Sequence, residues 1–433
     1  MDDTAAKELN GGTGSLTSVM VDVCEASGLA NRYYTDPDCF EDEKHRVFFA
    51  GWSGIGFAKD VPEPGCVVPL EFLGMPLLLV RDKTGRVRVF QNTCRHRGMI
   101  LIDRPTRLKG VIRCPYHSWC YGLDGALRTT PHVGGPGRNI HEAIDRDVLG
   151  LFEFRSHVWH DVVFVNVSGD APAFEVANAA LLERWSEFDQ PLYHAGEDCS
   201  IRLEVATNWK LAVENYCESY HLPWIHPGLN SYSRLEDHYN IVEYGQYSGQ
   251  GTLVYRPTLD PQGRRFPDFA ELSEKWNKGA EYITLFPNVM LGVHRDHVYA
   301  ILLEPDGPTR TIERIEIYYA APEAIEPDFS DLRRANKSQW SEIFDEDVAV
   351  CEGMQRGRHG AKFDGGKFSP VMDVPTHVFH HWVAGRLSGP PPPPPPAHGA
   401  EGATHQNTPA GVGNEQQASS FAPHDVQPRP GSA

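Results

Sequence analysis

The stretch Asn208 to His226, NWKLAVENYCESYHLPWIH, places Glu214, Asn215, Glu218, His221 and His226 within 13 residues of one another. On a helix, Glu218 and His221 are three apart and share a face. Pro223 disfavours a regular helix just after His221, so the chain is expected to bend there and bring His226 round to the same point. Two neutral imidazoles with a carboxylate from elsewhere form the facial triad that holds Fe(II) with positions left open for O2. Two histidines five apart also occur as ordinary core or surface residues. This stretch alone leaves both readings open.

A second group lies upstream. Cys94-Arg-His96 is followed, after 17 residues, by Cys114-Pro-Tyr-His117. Two thiolates and two imidazoles could hold zinc, but structural zinc sites usually pair Cys with Cys and His with His at fixed spacings. Here each pair is mixed, C-x-H and C-x-x-H. That suits a [2Fe–2S] cluster in which one iron takes both cysteines and the other both histidines, where neutral imidazole removes negative charge and raises the potential.

These groups need elements to position them, and 433 residues are enough for two domains plus a tail. A hydrophobic fraction of 40%, with 10% aromatic residues, indicates a packed core. The net charge of −18 argues against nucleic acid or an anionic membrane surface as a partner. No apolar run approaches the roughly 18 residues of a membrane span, and MDDTAAKELN lacks the basic start of a signal peptide, so the expected location is cytoplasmic. Nine cysteines fit thiols and metal ligands better than a disulfide framework.

In chain order, residues 1–32 form an N-terminal segment whose first 15 or so residues are expected to be disordered, and 33–56 a helical lead-in. GWSGIG (Gly51 to Gly56) reads as a strand with turns, since it lacks the context of a phosphate-binding loop. Over 57–167 short β runs such as CVVPLEFL, MPLLLVRD, RVRVFQNT, GVIRCPYH and VVFVNV alternate with Pro, Gly and Asp turns. Glu204 to Tyr220 reads as a helix, or a strand end leading into one. Strand signals return in YNIVEYGQY, GTLVYR, EYITLF, VMLGV, HVYAILLE and TIERIEIYYA, followed by a helix over about 329–355. From 388 to 433 seven consecutive prolines and a Gly, Ala, Gln and Pro-rich run predict a disordered tail. Cys120 and Cys217 read as small core residues, His294 and His297 as surface or turn histidines with pocket lining as the alternative, and Tyr220 as a packing residue. Glu214 and Asn215 are expected to hydrogen-bond around the metal ligands.

CRHRG (Cys94 to Gly98), CPYHSWCYGLDG (Cys114 to Gly125) and NWK…ENYCESYH…H together resemble the α subunit of a Rieske non-haem iron oxygenase. The resemblance runs from about Tyr33 to about Gly385. It implies an α+β protein, with a β-rich Rieske [2Fe–2S] domain over 57–167 and a helix-grip catalytic domain, an antiparallel sheet around a long helix, over 168–387. It implies Cys94, His96, Cys114 and His117 as cluster ligands, and a mononuclear Fe(II) held by His221, His226 and a carboxylate from FDEDVAVCEGMQRG. The matching position there is Asp347, with Asp345 and Glu346 as neighbours. Glu218 matches the carboxylate that bridges the iron site to the second cluster histidine, His117, of a neighbouring subunit in a homotrimer. Many ring-hydroxylating members carry Asp at that position, whereas Glu resembles the branch acting on quaternary amines.

The resemblance further implies a separate NAD(P)H-dependent reductase or ferredoxin as electron donor. The product would be a hydroxylated or oxidatively dealkylated small molecule, such as a quaternary ammonium or N-methyl compound. Two alternatives are an aromatic ring-hydroxylating dioxygenase and a Rieske electron carrier with no oxygenase activity. A cationic substrate would call for an aromatic cage. Tyr232, Tyr239, Tyr244, Tyr247, Tyr282 and Trp224 are the candidates for it.

Overall fold

Alternation of apolar residues along Val298 to Leu303 sets the centre of the molecule. Val298, Ala300 and Leu302 point into one buried cluster, and Tyr299, Ile301 and Leu303 into another. A strand buried on both faces needs layers on either side, and the computed structural model, which describes residues 16–389, supplies them. The expected disorder of the first 15 residues and of the tail from 390 falls outside the described residues.

The architecture is α+β. A seven-stranded antiparallel sheet runs in the order β11 (Ser200–Val205), β17 (Thr311–Tyr319), β16 (His297–Pro305), β15 (Val289–Val293), β14 (Ala280–Leu285), β13 (Tyr247–Thr252), β12 (His238–Glu243). Three helices are central here: α1 (Trp209–Cys217), α2 (Ser330–Gly357) and α3 (Val374–Ser388). Trp209, Leu332, Trp340, Val378 and Phe379 share the cluster of Tyr299 and Ile301, which puts these helices on one face of the sheet.

The other face packs against a second sheet, ordered β1 (Ser53–Phe57), β10 (Val162–Asn166), β9 (Glu153–Trp159), β4 (Val87–Gln91), β3 (Met75–Arg81), β2 (Cys66–Phe72), β5 (Thr106–Arg107). Phe57, Val162 and Phe164 enter the cluster of Val298, Ala300 and Leu302. The approach is close enough that a Cβ on Gly54 would lie 2.5 Å from Val289 Cγ2. Asn288 pins this junction, accepting from Gly54 N at 3.0 Å and donating to Gly54 O at 2.9 Å. A small sheet of β6 (Val111–Arg113), β7 (Cys120–Gly122) and β8 (Leu127–Thr129) completes the β-rich part.

Helix α1 is buried almost all round, which requires each of its polar groups to be partnered. Asn208 caps it by accepting from Lys210 N at 3.0 Å. Lys210 and Glu43, neither with any exposed side-chain surface, pair at 2.6 Å, and Trp209 Nε1 donates to Glu43 at 2.9 Å. Burial pushes the Glu43 carboxyl up and the Lys210 ammonium down, so the pair survives on its mutual attraction.

The helix stops at Cys217, one residue before Glu218, so Glu218 and His221 do not share a helical face. Glu218 is extended (φ −120°, ψ 160°) and its carbonyl accepts from Gln250 Nε2 at 3.0 Å. Pro223 does not make the bend either. It sits in the first turn of a short helix, Leu222–Ile225, where its missing N–H costs nothing.

Candidate active site

Two equivalent loops form the β-rich end of the site. The first follows β4, with Cys94 N donating to Met99 O at 2.8 Å and Gly98 N to Cys94 O at 2.9 Å. The second joins β6 to β7, with Cys114 N donating to Trp119 O at 2.8 Å and Ser118 N to Cys114 O at 3.1 Å. Cys94 and Cys114 are buried, while His96 and His117 are exposed at the loop tips, their ring centroids 4.7 Å apart. His96 stacks on Trp119. Burial pushes the Cys94 thiol up. Tyr121 OH accepts from Arg95 N at 3.0 Å, which turns its own proton toward Cys94 Sγ 3.2 Å away. A buried sulfur with a donor aimed at it is what a thiolate cluster ligand needs. Cys120, expected in the core, is only half-buried and donates to Ser118 O.

The second centre lies between α1 and α2. His221, His226 and Asp347 each offer a ligand atom, all within 4.8 Å of one another. His221 Nδ1 lies 2.5 Å from Glu218 Oε1, and His226 Nδ1 lies 2.6 Å from Glu346 Oε2. A carboxylate can only accept, so each imidazole carries its proton on Nδ1 and presents the Nε2 lone pair. Those two lone pairs converge on Asp347, at 3.7 Å from His221 and 3.0 Å from His226. Asp347 Oδ1 is buried and completes no hydrogen bond.

Three acceptors facing one another in a buried space require a cation between them, and the donor set of two imidazoles and one carboxylate suits Fe(II). Glu346, adjacent in sequence, is engaged on the other ring nitrogen of His226. Burial of His226 lowers its basicity, but in the metal-free chain Asp347 and Glu346 outweigh this and hold it above the ordinary histidine value, so a bound cation would compete with a proton for Nε2.

Other residues sort around this centre. Glu214 lies away from the three ligands, accepting from Tyr34 OH at 2.5 Å with His380 Nε2 at 3.0 Å and Arg358 at 3.4 Å. Asn215 lines the iron pocket, and Cys217 is buried beside Ser248. Tyr220 is 45% exposed instead of packed, and Trp224 is 68% exposed, which places both at the surface next to Glu218. Of the candidate cage residues, Tyr282 lines the pocket, joined by Tyr216, Tyr299, Trp340 and Phe344, which had not been singled out. Tyr239 hydrogen-bonds Glu281, Tyr247 enters the opposite cluster, Tyr232 packs on Tyr255, and Tyr244 is exposed.

His294 and His297 are not surface residues: both are buried and stacked 4.2 Å apart. Glu313 was also missed. It lines a small cavity behind Asp347, where burial, reinforced by the Asp347 charge, pushes its carboxyl up to about 7.

Comparison with known proteins matches both parts of the chain. A family model described as Rieske [2Fe-2S] domain matches residues 51–142, and one described as ring hydroxylating alpha subunit (catalytic domain) matches 182–389. The chain is 27% identical over 372 residues to the chloroplastic choline monooxygenase of Arabidopsis thaliana, covering 82% of each chain. It is 27% identical over 342 residues to the carnitine monooxygenase oxygenase subunit of Escherichia coli (strain K12), covering 77% of this chain and 84% of that one. The fold superposes on the quaternary ammonium Rieske monooxygenase CntA in complex with L-carnitine with a TM-score of 0.67 at 22% identity, over 87% of this chain and 99% of that one. With a Rieske domain followed by a ring-hydroxylating catalytic domain, the chain belongs to the α subunits of the Rieske non-haem iron oxygenases, oxidoreductases that carry a [2Fe–2S] cluster and a mononuclear iron.

Proposed function

We propose that this oxygenase component hydroxylates a carbon next to the nitrogen of a small alkylated amine or quaternary ammonium compound, with loss of an alkyl group when the product collapses. The observation that carries this reading is the ring of Tyr216, Tyr282, Tyr299, Trp340 and Phe344 around the pocket of His221, His226 and Asp347. Aromatic faces attract a cation that has lost its water, by about 2 kcal/mol or more when desolvated. The choline and carnitine named for the relatives each carry a quaternary ammonium group of that type.

When bound, the cluster supplies single electrons and the iron activates O2 for insertion into a C–H bond. The chain's own residues prepare that chemistry. In this reading Cys94, His96, Cys114 and His117 hold the cluster, and His221, His226 and Asp347 hold the iron. Glu346 and Glu218 keep the protons of His226 and His221 on Nδ1. The five aromatic rings exclude water and hold the nitrogen. Glu218 stands beside the exposed Tyr220 and Trp224, so a second copy of the chain could bring its His117 to it. We therefore assign Glu218 as the bridge to His117 of the partner subunit in a homotrimer. The electron donor in this reading is a separate NAD(P)H-dependent reductase or a ferredoxin. Beside the two cysteines that would hold the cluster, seven cysteines stand outside any disulfide, which fits a reducing, cytoplasmic location. No helix among the described residues is long and apolar enough to cross a membrane.

The test is a panel of methylated amines, quaternary ammonium compounds and simple aromatic acids offered to the reconstituted enzyme with O2. Aldehyde release tied to O2 uptake on the nitrogen compounds alone is the expected result. A cis-dihydrodiol from an aromatic acid would establish the ring-dioxygenase alternative instead.

A further inference from the structure

Trp340 stands about two turns before Asp347 on α2 and lines the pocket of the three proposed iron ligands. Its ring belongs to the aromatic wall, but its N–H edge engages a group that the oxygenase reading does not use. Nε1 lies 3.1 Å from His297 Nε2. An indole N–H only donates, so His297 accepts there and carries its own proton on Nδ1, 2.7 Å from Asp296 Oδ1. Other indoles of the chain donate to the carbonyl of Pro172 (Trp52) or to glutamates (Trp185, Trp209 and Trp276). Imidazole is the strongest base among these acceptors.

A base at the indole edge changes what Trp340 can do. An indole that loses an electron with no base beside it is left as a buried cation, and an isolated buried charge is costly. At Trp340 the proton crosses to His297 as the electron leaves, and the resulting imidazolium faces Asp296. Tyr282 also has an imidazole, His294 at 3.2 Å, but among the described residues nothing stands behind that ring, because its Nδ1 is buried without a partner. The electron and the proton have outlets on the same side. Tyr255 lies parallel to Trp340, with ring centroids 6.1 Å apart and 12° between the planes. Tyr255 is half-buried, and with Asp296 and His297 it lines an outer cavity of about 490 Å³, within the usual range for a small-molecule site.

We propose that Trp340, with His297 as its proton acceptor and Tyr255 as its outlet, passes electrons from a small thiol in the outer cavity to the iron pocket. The chain then has a second activity, the reduction of peroxide to water when no substrate takes the oxygen. Each pass moves one electron inward through Tyr255 and Trp340. The indole proton goes to His297 and returns, so the relay ends as it began. Two passes complete H2O2 + 2 RSH → 2 H2O + RSSR. One O–O and two S–H bonds break, one S–S and two O–H bonds form, the sulfurs lose two electrons and the oxygens gain them. The two thiol protons end in the water. O2 with two electrons and two protons reaches the same oxidation level as the peroxide. This activity rests on the oxygenase reading, since it needs iron at His221, His226 and Asp347.

The test mixes the holoenzyme with hydrogen peroxide and no amine, with or without mercaptoethanol, and freezes it rapidly. Electron paramagnetic resonance should show an organic radical whose lines change when the tryptophans are ring-deuterated. The thiol should quench it, and Trp340→Phe should remove it. Peptide mass spectrometry reads the oxygen added to Tyr216 and Phe344 in the pocket wall, at iron contents matched by metal analysis. His297→Gln keeps an acceptor for the indole but no base, so the radical should be lost and oxygen addition should rise several-fold. Tyr255→Phe removes one atom from a half-buried ring, so it reports even where His297→Gln does not fold. In it the tryptophan radical should persist in the presence of thiol, and oxygen addition should again rise. No tryptophan radical in wild type, or one that thiol quenches equally in Tyr255→Phe, overturns the relay. Equal oxygen addition in wild type and both variants also overturns it and leaves the Trp340–His297 contact as packing. A holoenzyme that forms no radical and takes up no O2 with any amine defeats the oxygenase reading as well, whereas O2 uptake without the radical defeats the relay alone.

Discussion

At the scale of single residues, the proposed iron site is defined by which nitrogen each carboxylate occupies. Glu346 sits on His226 Nδ1, whereas Asp347 faces both Nε2 atoms. Asp347→Ala should therefore abolish iron loading and oxygenation while the visible absorption of the [2Fe–2S] centre persists. Glu346→Gln should retain iron with affinity lowered about 10–100-fold, as for other groups that orient a metal-bound imidazole. Metal analysis of the purified variants decides between them. The two residues are neighbours in sequence, and only the rotation of helix α2 separates their roles, so residue type alone could not. Glu313 offers a second check. Its folded carboxyl, at about 7, lies above the ordinary 4.5, so the unfolded chain gives up this proton first as pH rises. The residue thus erodes stability between pH 4.5 and 7, and the loss is complete above pH 7. In iron-free protein, Glu313→Gln should gain on the order of 2 kcal/mol relative to wild type between pH 5 and pH 8. Denaturant titrations at the two pH values measure it, and a gain independent of pH would contradict the assignment.

At the scale of elements, α1 carries the site because its buried polar groups are matched one by one. Breaking the pair from one side is the severe change. Glu43→Gln should cost about 3–5 kcal/mol, because Lys210 is left charged and buried, whereas Glu43→Leu with Lys210→Met should cost much less. Urea midpoints of the two variants would show the difference. The same scale explains what was legible in the sequence. Helix α2 and strands β14 to β17 stood out through their apolar patterns. The whole of GTLVYR carries strand signals, yet β13 ends at Thr252 and is built from the polar and glycine-rich YSGQGT. A Cβ on Gly249 would lie 2.0 Å from Tyr282 O, and one on Gly251 would lie 2.4 Å from the Tyr239 ring, so close packing selects glycine over strand formers. Helix α3 gave no signal because its apolar and histidine residues are buried on most sides, which removes the periodicity of a one-faced helix. His294 and His297 do flank a turn, Arg295 and Asp296, and line a cavity, but both rings fold back into the core, so only the surface reading fails.

At the scale of the whole molecule, the two centres present themselves to the outside in complementary ways. His96 and His117 are exposed at the tips of their loops, and Glu218 lies beside the exposed Tyr220 and Trp224. No hydrogen bond among the described residues joins His117 to Glu218 within one chain. The proposed trimer supplies that link between chains, and Glu218→Gln should keep both metal centres yet nearly stop turnover, since Gln loses the charge and one acceptor. The most direct measurement is the turnover of mixed trimers, verified by differential tagging, in which some chains carry Glu218→Gln and others His117→Cys. Each variant alone should be almost inactive. The account predicts that the mixture regains part of the wild-type rate, because some interfaces pair an intact cluster with an intact bridge. Verified mixed trimers that remain as inactive as either parent would contradict it and place the electron route within a single chain.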